Sequence, residues 1–510
     1  MIASQHYMVP IDYQVDAAAR LVDGNKFFCI NRGRQYGKTT TLAFLKEKLE
    51  EKGYVVFSIS FEGLPDSAYE SLETLLSMCV ILMAKPLKWV GISNLDEASS
   101  LELVKIADKR AKEMNMMDFQ DLIADLSSRN RTALLIDEVD QAGNYPTFIK
   151  FLGLLRSMYL SRNQVPTFQS VVLAGVYDIK NLKLKMRPEE EHQYNSPWNI
   201  AAPFETDMSL HPDGIAQMLE EYKKDHHLDF DENDIAQMVY DYTSGYPFLV
   251  SRLCQIIDEN RCSWDKDGLL KAINQLLKES NTLFDDLTKK IDQFPNLSIM
   301  LQSIIYEGKR IAYNYYDKDI NLASMFNIVY NNDGATAIKC RIFETWLYNF
   351  YSSKEKMSAI FQRGEAYKTQ FIKGGRLDMR LVLERFSVCF NDIYRPEKDD
   401  KFVEETGRKI FLTYLRPIIN GVGNYYCEAQ TRDLTRTDII VDYLGEQFVV
   451  ELKIWRGNSY NERGEQQLAE YLDNFHLQEG YLVSFCFNKD KQPGLRDVLI
   501  GERTICEAIV

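Results

Sequence analysis

The spacing of apolar residues changes period several times along this chain, and each change marks an element. Residues 26–30 (KFFCI) form an apolar run that predicts a short buried strand. In 41–53, Leu42, Phe44, Leu45 and Leu49 recur at helical spacing until Gly53 stops the helix. Residues 54–61 (YVVFSISF), rich in β-branched and aromatic side chains, predict a second strand. A long helical insertion is expected over 65–130, then strands at 132–136 (TALLI) and 168–176 (FQSVVLAGV), with 204–210 (FETDMSL) a candidate fifth. Helical spacing returns in IAQMLEEYKK and ENDIAQMVYDYTSG, which predict a small lid. The lid reaches Ser244-Gly245-Tyr246-Pro247, a turn that opens an apolar helix.

Further along, residues 295–345 read as short helices followed by two β-rich runs around Asn332-Asp333-Gly334, a strong hairpin signal. Helices plus a hairpin suggest a winged-helix-like module. Its candidate reading helix carries Asp317, Lys318, Asp319 and Asn321, a poor cationic surface, so a structural or protein-contact role is expected. Residues 351–395 predict a helical linker with an excess of base (Arg363, Lys368, Lys373, Arg376, Arg380, Arg385), a candidate contact for backbone phosphates. In the last part, residues 403–421 form an amphipathic helix, and 436–443 and 448–455 are strands joined by a tight turn. The expected organisation is a core at 1–210, a lid at 211–290, the winged-helix-like module at 291–350, the linker at 351–395 and an α/β domain at 396–510.

The first strand leads into Asn31-Arg32-Gly33-Arg34-Gln35-Tyr36-Gly37-Lys38-Thr39-Thr40. A strand, a turn ending in Gly-Lys-Thr and a helix make the setting of a phosphate-binding loop. Backbone N–H groups and the helix start hold the β-phosphate, Lys38 neutralises it, and the Thr39 hydroxyl can ligate Mg²⁺. Residues Gly33, Arg34, Gln35, Tyr36, Gly37, Lys38, Thr39 and Thr40 are therefore the expected nucleotide contacts. Arg32 stands where G-x-x-x-x-G-K-[ST] has its first glycine. The strand at 132–136 runs into Asp137-Glu138. Asp137 is placed to order the Mg²⁺ shell and Glu138 to polarise an attacking water. This combination points to the ATP-hydrolysing branch, which has an added strand. Lys180, Lys183, Lys185 and Arg187 can supply an arginine finger to a neighbouring subunit or be a solvated loop.

Length and charge narrow the class. A chain of 510 residues is too long for one core. Its formal charge of −14 gives no global nucleic-acid footprint, so such contacts must rest on local patches. Nine scattered cysteines without a C-x-x-C pair predict reduced thiols, and no apolar run is long enough for a membrane span. A cytoplasmic protein with no membrane partner is expected.

The loop, the Asp137-Glu138 strand end and the Gly-Tyr-Pro turn together resemble the prokaryotic AAA-like ATPases, whose loop reads Arg-Pro-Arg-Arg-Phe-Gly-Lys-Ser. The absent first glycine is then a family habit, and Gln35 departs from the family's inner arginine. The resemblance extends over most of residues 1–355. It implies ATP and Mg²⁺ as cofactors, ATP hydrolysis and a possible homo-oligomer.

The second cluster of candidate chemistry is Asp438, then Phe448-Val449-Val450-Glu451-Leu452-Lys453. Glu451 and Lys453 are two apart, so both project from one sheet face. Charges within so apolar a strand need a partner. Asp438 and Glu451 can hold Mg²⁺ through oxygens while Lys453 stabilises charge on a phosphate. An exposed ion pair on an edge strand is the alternative. Helix with Glu, then Asp, then Glu-x-Lys on a hairpin, then Gln on a helix resembles the PD-(D/E)XK nuclease superfamily. That resemblance implies Asp438 and Glu451 as metal ligands, Lys453 as the catalytic lysine, Gln467 (or Gln466) as accessory residue and Glu404 (or Glu405) as the helix acid. Asp442 is a further candidate on the face of Asp438. The expected fold class is α/β: a P-loop ATPase core with lid and winged-helix-like module, plus a C-terminal nuclease-like domain. The expected function is cleavage of nucleic acid, DNA favoured over RNA, under ATP control. The alternative is an ATP-driven switch or scaffold whose nuclease-like domain only binds.

Overall fold

A computed structural model describes residues 6–109, 114–176, 197–307, 309–354, 359–394, 402, 404–419, 423–430, 436–444, 446–455, 457, 463–469, 472, 477–488 and 492–510. The chain divides into two compact units. One comprises Met1–Asn233, Tyr246–Phe248 and Met325–Asn327; the other comprises Asp234–Gly245, Leu249–Ser324 and Ile328–Val510.

The first unit is built on a parallel sheet of β1 (Phe28–Asn31), β2 (Val55–Ser60), β3 (Thr132–Asp137) and β4 (Ser170–Gly175), in the order β1-β4-β3-β2. Every residue of β3 and β4 is buried, as helices on both faces of a parallel sheet require. The added strand expected of the ATP-hydrolysing branch is β4, which lies between β1 and β3. In-register pairing of Asn31 with Gly175 and of Ser60 with Asp137 brings the carboxyl ends of the strands to one edge. Around the sheet are α1 (Asp12–Asp23), α2 (Lys38–Glu51), α3 (Leu72–Ala84), α4 (Glu97–Lys109), α5 (Met116–Arg129), α6 (Pro146–Leu160) and α7 (Pro212–His226). The helices of the 65–130 insertion bury Leu75, Leu76, Leu103, Phe119 and Ile123 in the same core as Phe57, Leu134 and Leu173. Burying such a side chain is worth about 1.5–3 kcal/mol.

The candidate fifth strand at 204–210 is not one. The position beside β1 is filled by a single parallel bridge between Phe28 and Ala202. The carbonyl of Thr206 accepts instead from the Arg32 side chain, so a guanidinium replaces the backbone ladder there. The basic candidates Lys180, Lys183, Lys185 and Arg187 lie outside the described residues.

In the second unit, α8 (Glu232–Thr243) contributes its residues from 234, followed by α9 (Pro247–Glu259), α10 (Lys266–Leu276), α11 (Thr282–Gln293) and α12 (Pro295–Glu307). Then come α13 (Lys318–Met325), the hairpin β5 (Val329–Asn332) and β6 (Ala335–Ile338), and α14 (Arg341–Lys354). Asp333 and Gly334 both take positive φ at the hairpin tip, as a tight two-residue turn demands. The expected linker holds α15 (Ala359–Tyr367), a small hairpin β7 (Ile372–Lys373) and β8 (Arg376–Leu377), and α16 (Met379–Ile393). Three of its six cations have acidic partners. Arg380 makes a two-point pair with Asp497, Lys373 pairs with Asp378, and Arg376 sits 3.8 Å from Glu446.

Helix α17 (Glu404–Ile419) precedes a mixed sheet of β9 (Gly423–Gln430), β10 (Arg436–Tyr443), β11 (Glu446–Ile454), β12 (Glu479–Phe485), β13 (Gly494–Ile500) and β14 (Arg503–Ile509). The strand order is β13-β14-β12-β11-β10-β9. A short helix at 463–469, here α18, connects β11 to β12. Strand β11 is therefore interior, antiparallel to β10 and parallel to β12. That excludes an exposed edge-strand pair for Glu451 and Lys453.

Candidate functional site

Helix α2 starts at Lys38 because Gly37, at φ 81°, turns the chain through the left-handed region with open space where a Cβ would stand. Gln35 is also left-handed, at φ 56°. The loop is thereby wrapped around its own lysine. Lys38 is 6 % exposed and donates to the carbonyls of Arg32 and Gly33, each at 3.0 Å. Burial lowers its pKa, against the opposing charges of Glu138, Asp140 and Asp137. Thr39 donates to Asp137 Oδ2 at 2.6 Å, and Asp137 is buried at the end of β3. A hydroxyl and a carboxylate in contact are the hard oxygen donors that Mg²⁺ takes, so this pair fits that ion.

Glu138 follows in a left-handed conformation, φ 52°, with its N–H bonded to Asp137 Oδ1 at 2.9 Å. Burial raises its carboxyl pKa; Lys38 opposes the rise and Asp137 adds to it. Beyond it, Asp140 takes the N–H of Val176 at the end of β4. A Cβ on Gly175 would meet Asp140 Oδ1 at 3.0 Å and Val139 at 2.9 Å, so glycine permits this close approach.

Three contacts fix the loop from outside. Arg32, at the place of the missing glycine, is half-buried and donates to the carbonyls of Asn31 and Thr206 at 2.8 and 2.7 Å. Tyr36 is buried, shares a 2.8 Å hydrogen bond with Ser209 and meets the ring of Tyr246 edge-on at 4.8 Å. Tyr246, from the Gly-Tyr-Pro turn, donates to the Arg34 carbonyl at 2.6 Å. A Cβ on Gly33 would stand 2.9 Å from Asn327 Nδ2, which is buried without a hydrogen-bond partner. The sequence marks the Gly-Tyr-Pro turn. Nothing in it marks Asp140, Ser209 or Asn327 as neighbours of the loop.

The second cluster lies on β11. Glu451 is 3 % exposed and pairs with Lys453 Nζ at 2.9 Å. The β10–β11 pairing runs as far as Ile439 opposite Val450, the chain neighbours of Asp438 and Glu451. The side chain of Asp438 lies outside the described residues. Glu404 Oε1 accepts the N–H of Ile454 at 3.2 Å, which brings the start of α17 to the end of β11. The side chain of Glu405 is outside the described residues. Gln466 and Gln467 are both exposed; a Cβ placed on Gly464, at the start of α18, would stand 3.6 Å from Lys453 Cγ. Asp442 is buried and pairs in register with Gln447, away from the Glu451–Lys453 end of the hairpin.

The polar face continues across the sheet. Lys453 pairs in register with Ser484, whose hydroxyl bonds Glu507; Glu507 pairs with Arg496, and Arg496 reaches Glu465 of α18 at 2.8 Å. The residues Glu465, Ser484, Arg496 and Glu507 were not foreseen, because each partner comes from a different strand or helix. Among the described residues, no group of three or more His, Cys, Asp or Glu side chains forms a metal cluster. No helix among them is long and apolar enough to cross a membrane.

No curated protein matches the chain significantly. Among solved structures, the Walker-type ATPase PABY2304 of Pyrococcus abyssi is similar at 14 % identity and TM-score 0.47, over 67 % of this chain and 96 % of that one. The Aeropyrum pernix ORC2 protein, solved as ADPNP-ADP complexes, is similar at 13 % identity and TM-score 0.38, over 67 % and 94 %. Cdc6p of Pyrobaculum aerophilum is similar at 15 % identity and TM-score 0.33, over 68 % and 96 %. The model of the AAA-like domain family matches residues 1–349. With its phosphate loop, its Thr39–Asp137 contact and a family match over more than half its length, the chain belongs to the AAA-like P-loop ATPases.

Proposed function

We propose that this ATPase controls a metal-dependent nuclease carried by its C-terminal sheet. The observation that carries the reading is the buried Glu451–Lys453 pair on an interior strand, whose neighbour Val450 pairs with Ile439, the residue after Asp438. A carboxylate and an ammonium taken out of water cost several kcal/mol each before pairing. A chain has little reason to place them in an apolar strand unless they act there. Glu451 is a hard oxygen donor suited to Mg²⁺, with Asp438 as its expected co-ligand. Bound there, the ion would polarise a phosphodiester and lower the pKa of a water. Lys453 then carries charge for the phosphate, Glu404 fixes the end of β11, and Gln467 remains the accessory candidate.

In the ATPase half, the loop N–H groups and Lys38 hold the phosphates, Thr39 and Asp137 offer Mg²⁺ its oxygens, and Glu138 orients water for hydrolysis. Gly33, Arg34, Gln35, Tyr36 and Thr40 complete the contacts. The polymer is nucleic acid, with DNA preferred.

The test is Mg²⁺- or Mn²⁺-dependent cleavage of single- and double-stranded DNA and RNA by the full chain, with and without ATP. Wild type is expected to cut and Lys453→Ala to lose about 10²-fold or more of that rate, while ATP hydrolysis persists. A Lys453→Ala protein that cuts as well as wild type contradicts the assignment.

A further inference from the structure

A cationic cleft within the second unit shares no lining residue with either cluster. Its volume is about 600 Å³. Lys309, Arg310, Lys339, Arg341 and Arg408 line it, against two carboxylates, Asp241 and Glu344. On a chain of net charge −14, five cations converging on one concavity need a physical reason.

The cleft is shaped by the β5–β6 hairpin and by the segment before it. Thr336 N–H bonds the Ile311 carbonyl at 2.7 Å and Tyr313 N–H bonds the Gly334 carbonyl at 2.8 Å, so Ala312 meets Ala335 of β6 in a single antiparallel bridge. That pairing holds Lys309 and Arg310, both exposed, at the cleft. Arg341 opens α14 and lies 5.5 Å over the half-buried Tyr242 ring, which fixes its guanidinium. Arg408 comes from α17 and is 5 % exposed, an investment in burial that a purely solvated cation does not need. Thr336 lines the same wall, and its hydroxyl, 4 % exposed as a residue, has no hydrogen-bond partner.

Tyr330 sits on the rim. It is exposed, and the Lys339 ammonium stands 5.5 Å from its ring centroid. An exposed aromatic face beside a row of cations is how proteins hold a single strand: the base stacks and the phosphates run along the charges. In a duplex the base faces are hidden, so this pairing of groups favours an unpaired strand.

We infer that this cleft binds a single-stranded nucleic-acid segment, with Tyr330 as a base-stacking surface and Arg310 and Lys339 as phosphate contacts. The inference rests on the proposed action on nucleic acid, but it concerns binding and needs neither metal nor Lys453. It also departs from the expectation of a structural or protein-contact role for this module: the acidic helix at 317–321 is not the surface used.

Fluorescence anisotropy of the full chain with labelled single-stranded DNA or RNA oligonucleotides, in EDTA so that nothing is cut, tests it. Arg310→Glu with Lys339→Glu should weaken binding at least tenfold and reduce the slope of log K against log salt by about two. Tyr330→Ala should weaken it about fivefold or more with the slope unchanged. All three substitutions lie on exposed or half-buried side chains, and thermal melting checks that the fold is kept. Millimolar AMP should leave the complex intact. The inference is overturned if the double variant binds with wild-type affinity and slope, or if a mononucleotide displaces the strand completely. Loss of cleavage in Lys453→Ala with strand binding retained separates this claim from the nuclease assignment.

Discussion

Thr39 donates its hydroxyl hydrogen to Asp137 Oδ2 at 2.6 Å, so the two side chains expected to face one Mg²⁺ already touch. Between them they join the start of α2 to the end of β3, 98 positions apart in the chain. Replacing Thr39 by Val keeps the shape and removes the donor, leaving a buried carboxylate oxygen without its partner. Such a loss costs about 1–3 kcal/mol. Thr39→Val should therefore melt below wild type without nucleotide and need more Mg²⁺ for ATP hydrolysis. Thr39→Ser should restore both. Melting curves and Mg²⁺ titrations of ATPase rate read the two effects.

Tyr246 holds the Arg34 carbonyl, and through it the direction of the loop N–H groups. One neutral hydrogen bond is worth about 1 kcal/mol net, or roughly fivefold in affinity. Tyr246→Phe, which keeps the ring against Tyr36, should raise the KM for ATP by about that factor with kcat little changed. Tyr246→Ala should lose the ring contact too and lower both ATP affinity and thermal stability.

The raised pKa of Glu138 has a definite sign. Burial favours its neutral form in the folded chain. Its contribution to stability is complete below the ordinary value of 4.5 and is lost as pH rises through the raised value. Glu138→Gln, neutral at every pH, should equal wild type in melting temperature in acid and exceed it at neutral pH. The same variant should bind ATP and hydrolyse it about 10²- to 10⁴-fold more slowly. Melting temperature against pH, beside single-turnover hydrolysis, checks both.

How far the sequence could be read depends on how local each signal is. The strands of the first sheet are unbroken apolar runs, and Asp137 announces itself by ending one of them. The loop announces itself by a glycine before a lysine at a helix start. The role of Arg32 was hidden, because its partner Thr206 is 174 positions away and is held by a side chain where a strand had seemed due. Glu451 and Lys453 were legible as charges in an apolar strand. Their burial was not, because it depends on β11 being flanked by both β10 and β12. The basic linker was legible only in part for a related reason: Arg380 finds Asp497 across 117 positions, and local composition does not reveal a distant counter-charge.

The central claim is that one chain carries two separate places for a divalent cation, one at the phosphate loop and one on the C-terminal sheet. Mn²⁺ binding to the full chain, followed by electron paramagnetic resonance without nucleotide, addresses it directly. The account predicts a bound Mn²⁺ that Asp137→Asn leaves in place and Glu451→Gln removes, with a further ion appearing when ATP is added. Nucleotide-free Mn²⁺ binding that Glu451→Gln leaves unchanged would contradict it.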